Sequence, residues 1–268
     1  MDKLEIIGGK KLQGSIIISG SKNATLPILA STILFDEITL TNIPLVKDIT
    51  TMIDLLKSLG LSINLKKNEK KLIILNKGKI KTEAKYQIVK TMRAGVLVLG
   101  PLLSRYGKAK VSLPGGCAIG TRPVDLHINA LKKMGAKIKI LDGYIYASAK
   151  KGLKGAKIKF PKISVGATEN LLIASAYAKG RSVLTNCANE PEIKDLCNFL
   201  NKSGCKIKWV AKRKIVIDGV KKLKKINYKV MFDRIEAGTY MIAAAATQGR
   251  VAIKKIDPNI IKKEILTL

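Results

Sequence analysis

The sequence predicts an α/β protein assembled from a recurring βαβαββ unit, with buried helices at its centre and sheets facing outward. Three observations predict it. A strand, an apolar helix, a second strand, an amphipathic helix and two short strands recur with a period of about 70 residues, too long for a solenoid, so each copy reads as a sub-assembly of a closed domain. Pro44, Pro123 and Pro191 precede the second helix of successive copies, and Gly60, Gly135 and Gly204 close it. The first helix of each copy is apolar nearly all round, which requires burial on every side. Three such helices form the expected core, an inside-out α/β arrangement.

The first copy takes Lys11 to Ile18 as a strand, Lys22 to Leu34 as the apolar helix and Glu37 to Ile43 as the next strand. The amphipathic helix runs from Lys47 to Leu59, and strands follow at Leu61 to Leu65 and Lys71 to Leu75. The second begins at Tyr86 and carries an apolar helix around Arg93 to Leu103. It continues with the strand Ala109 to Leu113, a helix from Pro123 to Met134, and strands Ala136 to Ile140 and Tyr144 to Ser148. In the third, Val165 to Ala178 is the apolar helix and Ser182 to Asn186 a strand. Pro191 to Lys202 is the amphipathic helix, and Cys205 to Val210 and Lys214 to Ile217 close the copy. A fourth opens with Tyr228 to Met231, passes through Ile235 to Thr247 and Arg250 to Ile256, and reaches Asp257-Pro258. Its closing glycine is expected beyond Leu268, so the sequence is expected to stop inside a helix.

Composition narrows the function. The 268 residues carry 50 Lys and Arg against 19 Asp and Glu, a formal net charge of +31. Alone, that would suggest nucleic acid or an anionic membrane as partner. The lysines are instead scattered through every segment, aromatic content is only 4%, and no stacking or recognition-helix pattern occurs, so no specific nucleic-acid partner is expected. Arginine stands only at 93, 105, 122, 181, 213, 234 and 250, leaving 43 of the 50 basic residues as lysine. Each arginine is therefore informative, because its planar fork is what lysine cannot supply. Hydrophobic content of 47% excludes a disordered chain. No apolar run approaches the ~20 residues needed to cross a bilayer, and Met1-Asp2-Lys3 does not open a leader, so a cytoplasmic protein without membrane partner is expected. Four cysteines form no C-x-x-C pair and His127 is the only histidine, so neither a zinc site nor a disulfide framework is suggested. Cys187, Cys197 and Cys205 read as packing residues and His127 as a structural one.

The densest chemistry lies in Pro114-Gly115-Gly116-Cys117-Ala118-Ile119-Gly120-Thr121-Arg122-Pro123-Val124-Asp125-Leu126-His127. Three glycines around one cysteine leave the backbone free, and Pro123 opens a helix whose unpaired N–H groups attract anions. Arg122 adds a guanidinium, and both features lower a nearby thiol's pKa toward the range useful in proton transfer. The plain alternative is a small apolar residue on a turn.

The whole word resembles the active-site loop of UDP-N-acetylglucosamine enolpyruvyl (carboxyvinyl) transferases, which open peptidoglycan synthesis. The related enolpyruvylshikimate-phosphate synthases share the fold without this cysteine loop. The resemblance implies an inside-out α/β barrel fold with two domains of three units each, the N-terminal strand crossing into the second. On that map residues 22–231 form one complete three-unit domain carrying the cysteine loop, and 1–21 with 232–268 form part of a second. It also implies transfer of the enolpyruvyl group of phosphoenolpyruvate to the 3′-hydroxyl of UDP-N-acetylglucosamine, without a metal or organic cofactor.

Residue roles follow from the same resemblance. Lys22 and Asn23 match the pair that holds phosphoenolpyruvate. Cys117 matches the acid that protonates the methylene carbon, the thiol trapped by epoxides such as fosfomycin. Arg122 would bind phosphate. Pro123, Val124, Asp125 and Leu126 match a uridine-binding segment, and Lys162, Ile163, Ser164, Val165 and Gly166 match a second strip along the nucleotide. Arg93, in an otherwise apolar helix, is costly to bury without an anion, so it is assigned to substrate, a buried internal salt bridge being the alternative. Arg234 and Glu236 would line the interdomain cleft. The family's general-base aspartate and further arginines lie in sequence beyond Leu268. The chain is therefore expected to be inactive or weakly active alone, or to be a binding half that needs a separately encoded second half, with a basic nucleic-acid-binding protein ranked below both.

Overall fold

The computed structural model describes residues 3–114 and 124–265. The chain falls into two compact units, Lys22–Met231 and Met1–Ser21 with Phe232–Leu268. In chain order β1 (Gln13–Ile17) precedes α1 (Lys22–Ser31), which tightens into a 3-10 turn at Thr32–Leu34. Then come β2 (Glu37–Thr41), α2 (Lys47–Leu59), β3 (Ser62–Lys66) and β4 (Lys71–Leu75). α2 stops at Gly60, whose φ of 109° no β-carbon would favour and whose N–H returns to the Leu56 and Lys57 carbonyls.

The apolar helix expected around Arg93 to Leu103 is instead split into a 3-10 segment (Arg93–Val98) and α4 (Leu99–Tyr106), and the short α3 (Tyr86–Val89) stands at the start of the copy. Pro101 explains the break: inside one long helix its ring would clash and its missing N–H would leave a carbonyl unmet, whereas a fresh start at Leu99 puts it in a first turn. β6 (Lys108–Ser112) follows, with the short β5 (Glu83–Ala84) beside it. After the loop come α5 (Asp125–Lys133), β7 (Lys137–Leu141), β8 (Tyr144–Ser148), β9 (Lys157–Lys159) and α6 (Val165–Ser175). β10 (Arg181–Thr185), α7 (Pro191–Lys202), β11 (Lys206–Ala211), β12 (Lys214–Asp218) and β13 (Asn227–Lys229) complete the larger unit.

Its strands make three four-stranded sheets, ordered β13-β2-β4-β3, β5-β6-β8-β7 and β9-β10-β12-β11. In each, a short parallel strand flanks two antiparallel pairings. Two strand placements differ from the repeat read by periodicity, in which each strand opens its own copy. Lys11 to Ile18, read as the opening strand of the first copy, supplies β1, which pairs in parallel with β14 (Arg250–Lys254) of the smaller unit. Tyr228 to Met231, read as opening the fourth copy, supplies β13 at the edge of the first sheet. Alternation shows which face of a strand is buried but not which sheet it joins, so both placements were open to the wrong neighbour.

The core of the larger unit lies where the apolar helices are. Every residue from Ala24 to Ser31 in α1, from Leu99 to Leu103 in α4, and from Ala167 to Ser175 in α6 is buried. Each fully buried Leu or Ile there contributes about 1.5–3 kcal/mol. α2, α5 and α7 bury one face each, and Phe199 of α7 packs against Phe35 and Tyr228 at centroid distances of 5.4 and 5.1 Å. Tyr228 donates its hydroxyl to Asp195 Oδ1 at 2.7 Å, which fastens β13 to α7.

In the smaller unit α8 (Arg234–Ala246) and α9 (Pro258–Ile265) accompany the β1–β14 pair. Its buried core is Ile18, Phe232, Ala237 and Ile261. α8 is as apolar as α1 and α6, yet Ala237 alone of its residues is fully buried, while Ile235 and Ile242 are 52% and 53% exposed.

Candidate active site

Two of the predicted strips meet. α5 starts just after Val124, and its first turn carries Asp125, exposed, Leu126, buried, and His127, buried. α6 starts after Ser164, whose hydroxyl accepts the Ala167 N–H at 3.3 Å and whose carbonyl accepts the Thr168 hydroxyl at 2.7 Å. A β-carbon on Gly166 would lie 3.5 Å from His127 Cε1, so the starts of the two helices are in contact through that ring. Lys162, Ile163 and Val165 are exposed, leaving two apolar side chains and an ammonium on the surface beside the turn. The Ser164 hydroxyl is engaged in capping, which leaves the first-turn backbone N–H groups as the strip's donors toward an anion.

Lys22 and Asn23 are the first residues of α1. Lys22 makes an ion pair with Asp48 Oδ2 at 3.0 Å, both side chains being around two-fifths exposed at 43% and 39%. Pro27 has no N–H, so it removes the intrahelical donor the Asn23 carbonyl would otherwise meet. Arg93 is half-buried and opens the 3-10 segment, which packs against α1 and α6. Arg234 opens α8 in the smaller unit. Glu236 there accepts hydrogen bonds from the N–H of Ser19, at 3.0 Å, and from its hydroxyl. Asp233 caps that helix, accepting from the N–H groups of Ile235 and Glu236 at 2.9 and 3.0 Å. Cys117, Arg122 and Pro123 lie outside the described residues.

An acidic group escaped the sequence reading. Glu169 sits inside α6 and is 6% exposed, while Glu190 and Glu192 stand at the start of α7, the latter 4% exposed. Burial, reinforced by the charges of Glu192 and Glu190, pushes the Glu169 carboxyl up to about 8, so it is protonated at neutral pH. The signal was available: a lone glutamate in Ala167-Thr168-Glu169-Asn170-Leu171-Leu172 has no polar face to occupy. His127 moves the other way, down to about 4 through burial, against a smaller upward pull from Asp125. Cys187, Cys197 and Cys205 are buried thiols, pushed up by burial to about 12, 12 and 11. They are packing residues, as expected.

Among the described residues no group of three or more His, Cys, Asp or Glu side chains is placed to hold a metal. No described helix is long and apolar enough to cross a membrane. A cavity of about 500 Å3 lies on the outer face of the second sheet, lined by Lys108, Lys110, Lys137, Lys139 and Tyr146 among others. None of the predicted site residues lines it.

Comparison with known proteins places the chain in a class. The sequence model of the EPSP synthase (3-phosphoshikimate 1-carboxyvinyltransferase) family matches residues 6–268, and the chain belongs to that family of carboxyvinyl transferases. Its similarity is narrower than the family. It is 64% identical over 266 residues to the UDP-N-acetylglucosamine 1-carboxyvinyltransferase of Pelagibacter ubique (strain HTCC1062), covering 99% of this chain and 63% of that protein. The proteins of the same name from Rickettsia felis and Coxiella burnetii are 55% and 52% identical, over 100% and 97% of this chain and 64% and 60% of theirs. The chain thus spans less than two thirds of the length of these relatives. The solved structure of the enolpyruvyl transferase NikO from Streptomyces tendae matches with a TM-score of 0.77 at 18% identity, over 87% of this chain and 55% of that one. EPSP synthase from Acinetobacter baumannii matches at 0.71 and 22% identity, over 90% of this chain and 54% of that one. These two likenesses show the fold.

Proposed function

We propose that the chain supplies the substrate-holding part of a UDP-N-acetylglucosamine 1-carboxyvinyltransferase: an inside-out α/β barrel domain of three units, residues 22–231, with part of a second. The observation that carries this is the 64% identity over 99% of the chain to a protein of that name. Contact between the starts of α5 and α6 supports it, because the two strips that the resemblance assigns to the nucleotide lie side by side.

In this reading the sugar's 3′-hydroxyl loses its proton to a base and its oxygen attacks the central carbon of phosphoenolpyruvate. Cys117 gives its proton to the methylene carbon, making a methyl group. Loss of phosphate, with a proton leaving that methyl group, restores the double bond in the product. Lys22, Asn23 and Arg122 hold the phosphate and carboxylate of phosphoenolpyruvate, and Arg93 takes a substrate anion. Val124, Asp125 and Leu126, after Pro123, face the uridine, and Lys162 to Gly166 face the diphosphate.

The base belongs to sequence that the relatives carry and this chain does not span. Calorimetry is therefore expected to show UDP-N-acetylglucosamine binding, while phosphate release from both substrates stays far below enzymatic rates. Failure to bind the nucleotide sugar would sink the assignment, and release at ordinary enzymatic rates would sink the claim of inactivity. The exposure of α8 adds an element to the reading: its open face is where the further length carried by the relatives packs. Mixing the chain with the remaining third of the Pelagibacter ubique relative should then restore phosphate release.

A further inference from the structure

The strips assigned to substrate share one buried connection. His127 stands on the first turn of α5 at 7% exposure, and Asn170, fully buried, stands in α6. Asn170 Nδ2 donates to the Val96 carbonyl at 3.2 Å and lies 3.0 Å from His127 Nδ1. A carbonyl can only accept, so the Asn170 atom facing Val96 is the amino group. The same amino group faces the ring, so Nδ1 accepts and the imidazole proton sits on Nε2. That edge runs along the start of α6, where a β-carbon on Gly166 would meet Cε1 at 3.5 Å and Nε2 at 3.6 Å. Val96 in turn belongs to the 3-10 segment that Arg93 opens.

The arrangement is maintained against a local cost. Asn170 Oδ1 is buried without a hydrogen-bond partner, and it lies 2.2 Å from where a β-carbon on residue 100 would stand, which only Gly100 permits. An apolar side chain at 170 would avoid the unmet acceptor, and an apolar ring at 127 would fill the same space. What the polar pair provides beyond packing is a fixed ring orientation. We propose that His127 is a positioning residue of the nucleotide-sugar site, locked through Asn170 so that the α5 strip, the first turn of α6 and the Arg93 segment form one surface for the uridine diphosphate. This rests on the functional reading above and adds to it a residue, a tautomer and a partner.

The chain has a single histidine, so a 15N-imidazole spectrum reports His127 alone. At pH 7 the ligand-free protein should show an unprotonated Nδ1 and a protonated Nε2, and an Nδ1–H ring would overturn the proposal without any variant having to fold. UDP-N-acetylglucosamine is then titrated calorimetrically into wild type, His127→Asn and His127→Phe. Asparagine can keep an acceptor where Nδ1 stands, whereas phenylalanine fills the space without one. His127→Phe should bind about tenfold more weakly, at a temperature where circular dichroism shows it folded, and His127→Asn should stay within about threefold of wild type. Wild-type binding with unaltered His127→Phe would overturn this inference alone. Absence of binding by wild type would overturn the functional reading and the inference with it.

Discussion

Glu169→Gln should stabilise the protein in mild alkali and flatten its stability profile above pH 6.5. Glu169 lies in the core helix α6, its carboxyl raised from about 4.5 to about 8, first by burial and then by Glu192 and Glu190. Between those two values the folded chain holds a proton that the unfolded chain has released, so stability falls as pH rises, by about 1.4 kcal/mol per unit. Asp195 behaves likewise over a lower window, from 3.8 to about 6, because burial outweighs the Tyr228 hydrogen bond. His127 opposes both: lowered from 6.5 to about 4, it makes the folded chain bind fewer protons, so stability is lost as pH falls below 6.5. Of these three groups Glu169 dominates between 6.5 and 8, the unfolded His127 finishing its titration just above 6.5 with the opposite sign, and the loss should reach roughly 1–2 kcal/mol. Urea unfolding at fixed ionic strength across that interval should show the decline in wild type and its absence in Glu169→Gln, with the variant more stable at pH 8. A slope that survives the substitution, or a variant weaker than wild type at pH 8, would refute the claim that this carboxyl is buried and protonated.

Gly100→Ala puts a β-carbon 2.2 Å from Asn170 Oδ1 and 2.7 Å from the Asn170 carbonyl, neither at the end of a flexible chain. Backbone of α4 or α6 must shift, and chemical denaturation should register a loss of about 1–3 kcal/mol, together with a displaced His127 imidazole signal. Tyr228→Phe removes the donor to Asp195 Oδ1, so the cost should be about 1.5–3 kcal/mol at pH 8, where that carboxylate is ionised, and markedly smaller at pH 5, where it is protonated. Equal losses at the two pH values would discount the bond. Iodoacetamide at pH 7 should modify the native chain quickly at Cys117 alone, since the other three thiols are buried and held protonated. Mass spectrometry finding rapid label at Cys187, Cys197 or Cys205 would count against the core described for the larger unit.

Much of this was legible because the repeating signals are local. Gly60, Gly135 and Gly204 all take positive φ, at 109°, 92° and 99°, where a closing glycine was expected, and α7 has the bounds that Pro191 and the amphipathic spacing require. Strand partnership was not legible from periodicity, since β1 and β13 carry the same kind of alternation wherever they pair, and the crossing of the N-terminal strand came from the resemblance alone. The broken helix before α4 shows a second limit. Apolar residues from Arg93 to Leu103 fit one buried helix, and the steric demand of Pro101 favours an α-helical start only at Leu99. Within the site, contact between the α5 and α6 strips follows from packing across residues 127 and 166, a separation no spacing rule spans. Glu169 was readable as a charge with no polar face, but its protonation depends on neighbours from α7 that the sequence sets twenty or so residues away.

The arginines show how a compositional argument should be divided. In a chain that fills cationic positions with lysine, the guanidinium fork marks places needing two directed donors. Three of the seven spend that geometry on the scaffold. Arg105 joins the Ile33 carbonyl, at 3.0 Å, to the Asp36 carboxylate. Arg181 grips both oxygens of Asp218 at 2.7 and 3.1 Å across β10 and β12, and Arg213 reaches the Cys187 carbonyl at 2.9 Å. Each reinforces a junction between two segments, those of Arg181 and Arg213 being held by backbone hydrogen bonds as well, with a direction that a single ammonium lacks. Scarcity of arginine therefore selects positions where direction matters and does not by itself separate ligand from scaffold. Their surroundings assign Arg105, Arg181 and Arg213 to the scaffold, since each meets carbonyls or carboxylates of its own unit, while Arg93, at the head of a 3-10 segment packed against α1 and α6, is proposed for substrate on the resemblance. Arg93→Lys should weaken substrate binding in the same calorimetric titration, and Arg213→Lys should lower the urea midpoint while leaving that binding near wild type.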